Sequence, residues 1–409
     1  MLIKSKKEKI IQWTFFLLLL SLNFPPITVA HQFVAISTSF GNFSFPAIFS
    51  LILLCELIVS LLLNINKIKL NTSDLIFVVL IILIALGMGI HGVLFLSEIV
   101  SAFYVGRYLI SHNLKETIIK TIKITVVVQI ILNLYSTYIS PFHFSPISGR
   151  TLFVNLGTGV GGGARAYGTL GQPIILGMFL GIGAMLWLSD IFDKNKNKVE
   201  KSWAILFLVP CLYFIYITYS RGTWSALILT IAYMLIKTGV IKKVKTWIMG
   251  ILIVIIFINS SVFSSIALRF SILNSSSGSV SHRYYMVGWV FSYFREIPRI
   301  LFGFGVGNIG KLLLSNPPLD GLLAIDNSYL YILLELGIVG SALVLLLLFN
   351  GIYKSHKNVN IQVFHFLLVY MLINMYSFDL WDWEVVLFPF WIVLGICTFT
   401  TDKESNVIG

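Results

Sequence analysis

The feature that most constrains this chain is the recurrence of apolar runs about as long as a bilayer core is thick. A helix needs about 20 predominantly apolar residues to cross roughly 30 Å of hydrocarbon. Twelve stretches meet or approach that length, near 10–29, 43–63, 73–91, 92–110, 119–139, 169–189, 203–219, 223–239, 246–262, 327–351, 361–378 and 384–400. Of the 409 residues, 57% are hydrophobic and only 11% charged, more apolar surface than a soluble domain can bury. In lipid every backbone N–H and C=O must find an internal partner, so runs of this length span as helices. The expected fold is an all-α polytopic membrane protein of about twelve transmembrane helices, a single integral membrane domain over 1–409. Between the third and fourth runs two readings are open, because Gly87, Gly89 and Gly92 can kink one helix or end it.

The ends and the cysteines add little chemistry. Lys4, Lys6, Lys7 and Lys9 precede an apolar run from Ile10 to Leu22, the form of a signal peptide, with Pro25, Pro26 and Ala30 as a cleavage region. With many spans following, an uncleaved first helix is expected. Cys55, Cys211 and Cys397 all lie in apolar runs and read as small hydrophobes, with no disulfide or metal framework.

Charge sets the orientation. Alternating the connections puts the N-terminus, Lys67/Lys69, Arg107/Lys115/Lys120/Lys123, the Lys194–Lys201 run, Lys237–Lys245, Lys354/Lys357 and Lys403 on one side. By the positive-inside rule that side is cytoplasmic, with both termini. The net charge of +12 is explained by this excess, and no nucleic-acid partner is expected. Seven of the eight arginines then face outward: Arg150, Arg165, Arg221, Arg269, Arg283, Arg295 and Arg299. A preference for lysine over arginine across the chain does not explain that sidedness. The planar guanidinium suits bidentate phosphate recognition, so the outer side is expected to hold a phosphorylated ligand.

Two outward segments are long. Residues 141–168 are rich in glycine and aromatics, and 263–325 form one large extracytoplasmic loop with a serine/glycine tract. Long ordered loops usually carry function. There is no phosphate-loop signature, zinc-ligand spacing, dinucleotide fingerprint or fixed repeat, so nucleotide-driven chemistry by this chain alone is not expected.

Three motifs stand out. Ser220-Arg221-Gly222 interrupts an apolar run that, as one helix from Trp203 to Lys237, would measure about 52 Å. A turn is required there, and Gly222 is expected to supply it. Arg221 reads either as a snorkelling interfacial arginine or as a fixed cation beneath an outer cavity. Next, Phe302-Gly303-Phe304-Gly305-Val306-Gly307-Asn308 is followed by Asp326-Asn327-Ser328-Tyr329-Leu330. Asp326 and Asn327 fit a helix N-cap, and equally a carboxylate that accepts a proton or orients a hydroxyl. Last, the glycines at 161–163 precede Arg165 and Gly168-Thr169-Leu170-Gly171-Gln172-Pro173. They form either a flexible loop or a nest of N–H groups for an anion. His282 beside Arg283 is a further candidate base. Glu56, Glu98 and Glu335 lie in apolar runs and are expected to pair within the bundle or relay protons. Trp381-Asp382-Trp383-Glu384 reads as an aromatic belt or a sugar-stacking platform.

Together these motifs resemble the O-antigen ligase and polymerase superfamily of bacterial envelope polysaccharide synthesis. The resemblance covers roughly 165–350: Gly-Thr…Pro at 168–173, Tyr-Ser-Arg-Gly-Thr-Trp at 219–224, Gly-Phe-Gly-Val-Gly-Asn at 303–308 and Asp-Asn-Ser-Tyr-Leu…Gly at 326–340. It implies glycosyl transfer at the outer leaflet from a glycan on an undecaprenyl diphosphate carrier. In the ligases a histidine precedes the Asn-Ser-Tyr-Leu element, whereas here Asp326 does, which leans toward the Wzy-type repeat-unit polymerases. The pattern also expects Asn after Pro173, where this chain has Ile174. The expected enzyme is a metal-independent membrane glycosyltransferase with no cofactor. Asp326, Arg221 and Arg283 would be catalytic, and Arg165, Asn327, Tyr329 and Arg269 would bind substrate. Its partners would be the lipid-linked donor and acceptor, with a chain-length regulator and a flippase. The alternatives are a ligase that moves finished glycan onto lipid A-core, and a transporter of lipid-linked glycan. A diphosphate leaving group needs charge stabilisation, which arginines supply. Those same arginines are expected to lower the Asp326 pKa and weaken it as a base.

Overall fold

The computed structural model describes residues 2–23, 36–38, 41–63, 71–88, 92–139, 165–240, 278–319, 321–381 and 383–399, with the isolated positions 264 and 267. The described chain is helical apart from one hairpin, β1 (Ile36–Thr38) with β2 (Gly41–Phe43), antiparallel with Ser37 opposite Asn42. The helices are α1 (Leu2–Ser21), α2 (Phe45–Leu62), α3 (Thr72–Met88), α4 (Val93–Ser111), α5 (Lys115–Tyr138), α6 (Pro173–Phe192), α7 (Lys198–Ile217) and α8 (Arg221–Lys237). They continue with α9 (Gly278–Ser292), α10 (Ile297–Phe302), α11 (Ile309–Ser315), α12 (Ser328–Lys357), α13 (Gln362–Ser377) and α14 (Glu384–Cys397).

Seven segments of the described chain are helices long and apolar enough to cross a membrane: α2, α4, α5, α6, α7, α12 and residues 359–377, which include α13. Helices α3 and α14 are apolar but shorter. Of the twelve expected spans, the run at 246–262 lies outside the described residues, and the described part of each of the others overlaps a helix. Twelve crossings are therefore not established, while a polytopic helical membrane protein is. Between the third and fourth runs the chain ends one helix at Met88 and begins the next at Val93.

The burial pattern explains why these helices need lipid. Helix α14 is buried along Val385–Cys397, and α6 along most of Pro173–Trp187, so both form the interior. Other helices leave large apolar side chains open: Leu61 and Leu62 on α2, Leu206 and Val209 on α7, Leu345 and Phe349 on α12. Apolar area on this scale is unfavourable against water and natural against acyl chains. Inside the bundle, small residues allow close approach. A Cβ on Gly395 of α14 would strike the Phe103 carbonyl of α4, and one on Gly106 would meet the Ile392 carbonyl.

Helix α12 is broken. Gly337 has φ 62° and ψ −167°, a conformation open essentially to glycine alone. The freed carbonyls are met by the glycine-rich motif: Phe304 N–H donates to the Leu334 carbonyl at 2.9 Å, and Gly305 N–H to Glu335 O at 2.8 Å. Gly307 N–H donates to the Glu335 side chain at 2.7 Å. The two backbones cross so closely that a Cβ on Gly303 would stand 2.6 Å from Gly337 N. Irregular backbone beside a spanning helix is tolerable because this motif satisfies it. Glu335 thus pairs within the bundle, as does Glu56, which accepts from Thr14 at 2.8 Å.

One end of the bundle is tied by Arg107, the arginine expected apart from the other seven. It pairs with Asp74 of α3, donates to Gly395 O at 3.1 Å and Thr398 Oγ1 at 2.8 Å, and lies 4.3 Å over the Phe103 ring. Arg107 and Asp74 are both buried, so the planar fork here serves structure.

Candidate active site

At the other end of the bundle the motifs meet around the last turn of α13. Helix α7 closes at Ile217, and the chain reverses through Thr218, Tyr219 and Ser220 into α8. Tyr219, at φ 50°, makes the turn, and Ser220 caps α8 by accepting from Thr223 N–H. Gly222, expected to supply that turn, lies instead inside α8. A Cβ there would overlap the Ser377 side chain, so the glycine admits the end of α13. Its size matters, not its flexibility. Arg221 is the first residue of α8 and is half-buried.

Arg165 reaches the same turn. Its Nε donates to the Thr218 carbonyl at 2.7 Å, and Ala166 N–H donates to Ile217 O at 3.1 Å. The Gly-Thr…Pro motif that follows seats this segment. Thr169 donates to the Asn23 carbonyl and to Gln129, and Gln172 with Pro173 begins α6. The glycines at 161–163 and Arg150 lie outside the described residues.

Helix α9 brings the third arginine. Arg283 Nη2 donates to the Ser377 carbonyl at 3.0 Å and stands 3.8 Å from Asp326 Oδ2. Its Nε–H is buried without a hydrogen-bond partner among the described residues. Buried donors of this kind are rare, and an unmatched one suits a ligand that completes it. The large loop is therefore partly helical, with α9, α10 and α11 inside 263–325. Arg269 lies outside the described residues.

Asp326 and Asn327 divide the two roles the motif offered. Asn327 is the cap of α12, accepting from Tyr329 N–H at 2.9 Å and Leu330 N–H at 3.1 Å. Its Nδ2 donates to the Tyr376 carbonyl at 3.2 Å, and Ser328 Oγ donates to Phe378 O at 2.8 Å. Tyr329 donates its hydroxyl to Leu372 O at 2.9 Å. Asn327 and Tyr329, expected as substrate ligands, thus have these groups engaged in fixing α12 to α13. Asp326 stands just before the cap, turned toward Arg283. Burial pushes its carboxyl above the ordinary carboxylate value, against the opposing pull of Arg283 and His282. That reverses the expectation that the arginines would lower it. Desolvation of the charged form outweighs one partner at 3.8 Å. His282 is buried and one of its ring nitrogens contacts the Ala324 carbonyl at 2.8 Å, which anchors the segment leading to Asp326.

Residues 206–345 match the family described as O-antigen ligase. The match supports the O-antigen ligase and polymerase superfamily. It takes in the Ser-Arg-Gly turn, Arg283, the glycine motif and Asp326 with its following cap, whereas Arg165 and Ser377 lie outside it. No curated protein matches the chain.

Sequence reasoning missed Ser377, whose carbonyl and small side chain collect Arg283 and Gly222. The signal was faint: Asn374 and Ser377 are polar positions near the end of an apolar run. The reading of the Trp381–Glu384 stretch is corrected at Trp381. Trp381 is fully buried, 5.8 Å from the Trp391 ring and 6.5 Å from Phe95, so it is a core residue and neither belt nor platform.

Proposed function

We propose that this chain is a membrane glycosyltransferase of about twelve spans, with both termini cytoplasmic. It would polymerise undecaprenyl-diphosphate-linked oligosaccharide repeat units at the outer leaflet of the bacterial inner membrane. The observation that carries the reading is the pairing of Arg283 with Asp326 beside a buried, unmatched guanidinium N–H. In an inverting transfer, the acceptor hydroxyl oxygen bonds to the anomeric carbon of the donor sugar as the bond to the diphosphate oxygen breaks. The hydroxyl proton passes to Asp326, and the electron pair leaves with the diphosphate. Arg283, Arg221 and Arg165 stabilise that departing charge as fixed cations. A carboxylate with a raised pKa is the better base for this step. Donor and acceptor both carry the lipid diphosphate. A chain-length regulator and a flippase are its proposed partners.

The family match is equally compatible with a second reading, ligation of finished glycan to another acceptor. Deletion of the gene separates the two. A single repeat unit on the acceptor follows from a lost polymerase. Polymer held on the carrier follows from a lost ligase. Within the first reading, Arg221→Ala and Arg283→Ala should abolish long-chain product while the protein still inserts. Normal ladders in both variants would end the proposal.

A further inference from the structure

A cavity of about 330 Å³ opens beside the C-terminal end of α9, lined by Ser292, Tyr293, Arg295, Glu296, Arg299 and Asn316. It shares no residue with the site around Ser377. Tyr293 lies ten residues beyond Arg283, about 15 Å along the helical rise, so one helix links the two places.

The lining is built and not merely charged. Trp289 donates its indole N–H to the Asn316 carbonyl at 3.0 Å, which joins α9 to the end of α11. The Tyr293 ring stands edge-on to Trp289 at 4.8 Å and to Phe304 at 5.6 Å. Arg299 lies 4.9 Å over the Phe304 ring and pairs with Glu296 at 3.2 Å. Arg295 is exposed at the rim. A pyranose presents an apolar C–H face and a rim of neighbouring hydroxyls. An aromatic ring suits the first. Planar two-pronged groups, here guanidinium, carboxylate and carboxamide, suit the second. A phosphate fits less well, because Glu296 repels it and already engages Arg299. The volume falls within the range of small-ligand pockets, at its lower end.

We propose that this cavity is a glycan subsite, which holds a pyranose unit of the sugar chain some distance from the bond being made. The assignment of that chain rests on the function proposed above. Holding the product between additions lengthens it, because a retained chain is elongated again before it escapes.

The test uses the full-length protein in nanodiscs and lipid-free oligosaccharides released by mild acid from the cells' own envelope polysaccharide. Saturation-transfer NMR is expected to detect saturable binding, weakened about tenfold or more in Tyr293→Ala and Arg295→Ala. Because Tyr293→Ala also removes packing on Phe304, the exposed Arg295 provides the second variant. Asp326→Asn should bind like the parent, and both cavity variants should yield shorter ladders, not empty ones. Unchanged binding in both cavity variants would overturn the subsite. So would competition by inorganic diphosphate, which would make this a phosphate site. Normal ladders in Arg221→Ala and Arg283→Ala would instead strike the proposed function, leaving the binding result to be judged on Tyr293 and Arg295 alone.

Discussion

Replacing Gly337 by alanine tests whether the broken helix is a designed crossing. The residue sits at φ 62°, ψ −167°, where a side chain costs about 1–3 kcal/mol in backbone strain. The added Cβ would also stand 2.5 Å from the Leu301 carbonyl carbon and from Phe302 N, atoms that cannot swing aside as a side chain can. Separating the two backbones breaks the bonds from Phe304 to Leu334 and from Gly305 to Glu335, each worth about 0.5–1.5 kcal/mol. The expected loss is about 2–6 kcal/mol, a large fraction of an ordinary stability margin. Gly288→Ala in α9 is the control, since a Cβ there meets nothing within 4 Å. It should stabilise by about 0.5–1 kcal/mol. Thermal unfolding in one detergent, followed by size-exclusion of the tagged protein, ranks the three forms. A Gly337→Ala protein as heat-resistant as its parent would refute the crossing. So would a loss in Gly288→Ala of the same size.

Three other outcomes follow. Because burial raises the Asp326 carboxyl above its ordinary value, a base at that position loses its proton-accepting form at a higher pH than an ordinary aspartate. The acid limb of the rate profile in membranes should therefore lie higher than for an ordinary aspartate. A limb at the ordinary aspartate value would dismiss Asp326 as its source. Asp326→Asn should lose turnover as severely as Asp326→Ala, and full activity in the Asn variant would leave only an orienting role. Arg107→Ala should cost about 3–5 kcal/mol, because Asp74 would stay buried without its ion-pair partner, keeping only contacts such as the Asn71 N–H. Arg107→Lys should recover part of that and not all, since it cannot also reach both Gly395 and Thr398. Activity per folded molecule in these variants should match the parent.

The helical, membrane-bound class was legible because apolar run length is a one-dimensional property set by bilayer thickness. The sequence also set Arg107 apart from the other seven arginines, and the structure brings Arg165, Arg221 and Arg283 to one end of the bundle while Arg107 ties the other. The requirement for a turn near residue 220 was equally local, since no single helix could absorb that much apolar length.

Which residue performs each task was not legible. Gly222 looked like the turn and is a close-packing site, because a glycine's reason depends on what approaches it. The mark of a broken helix in an apolar run was only a pair of glycines at 337 and 340. Its repair by residues 303–307 is a contact between distant segments. Ser377 gathers the site with a backbone carbonyl, which every residue type carries and no motif can flag. The Asp326 carboxyl shows the limit most plainly. Counting nearby arginines gave the wrong direction for its pKa, because charge is written in the chain whereas desolvation exists only once the chain has folded around it.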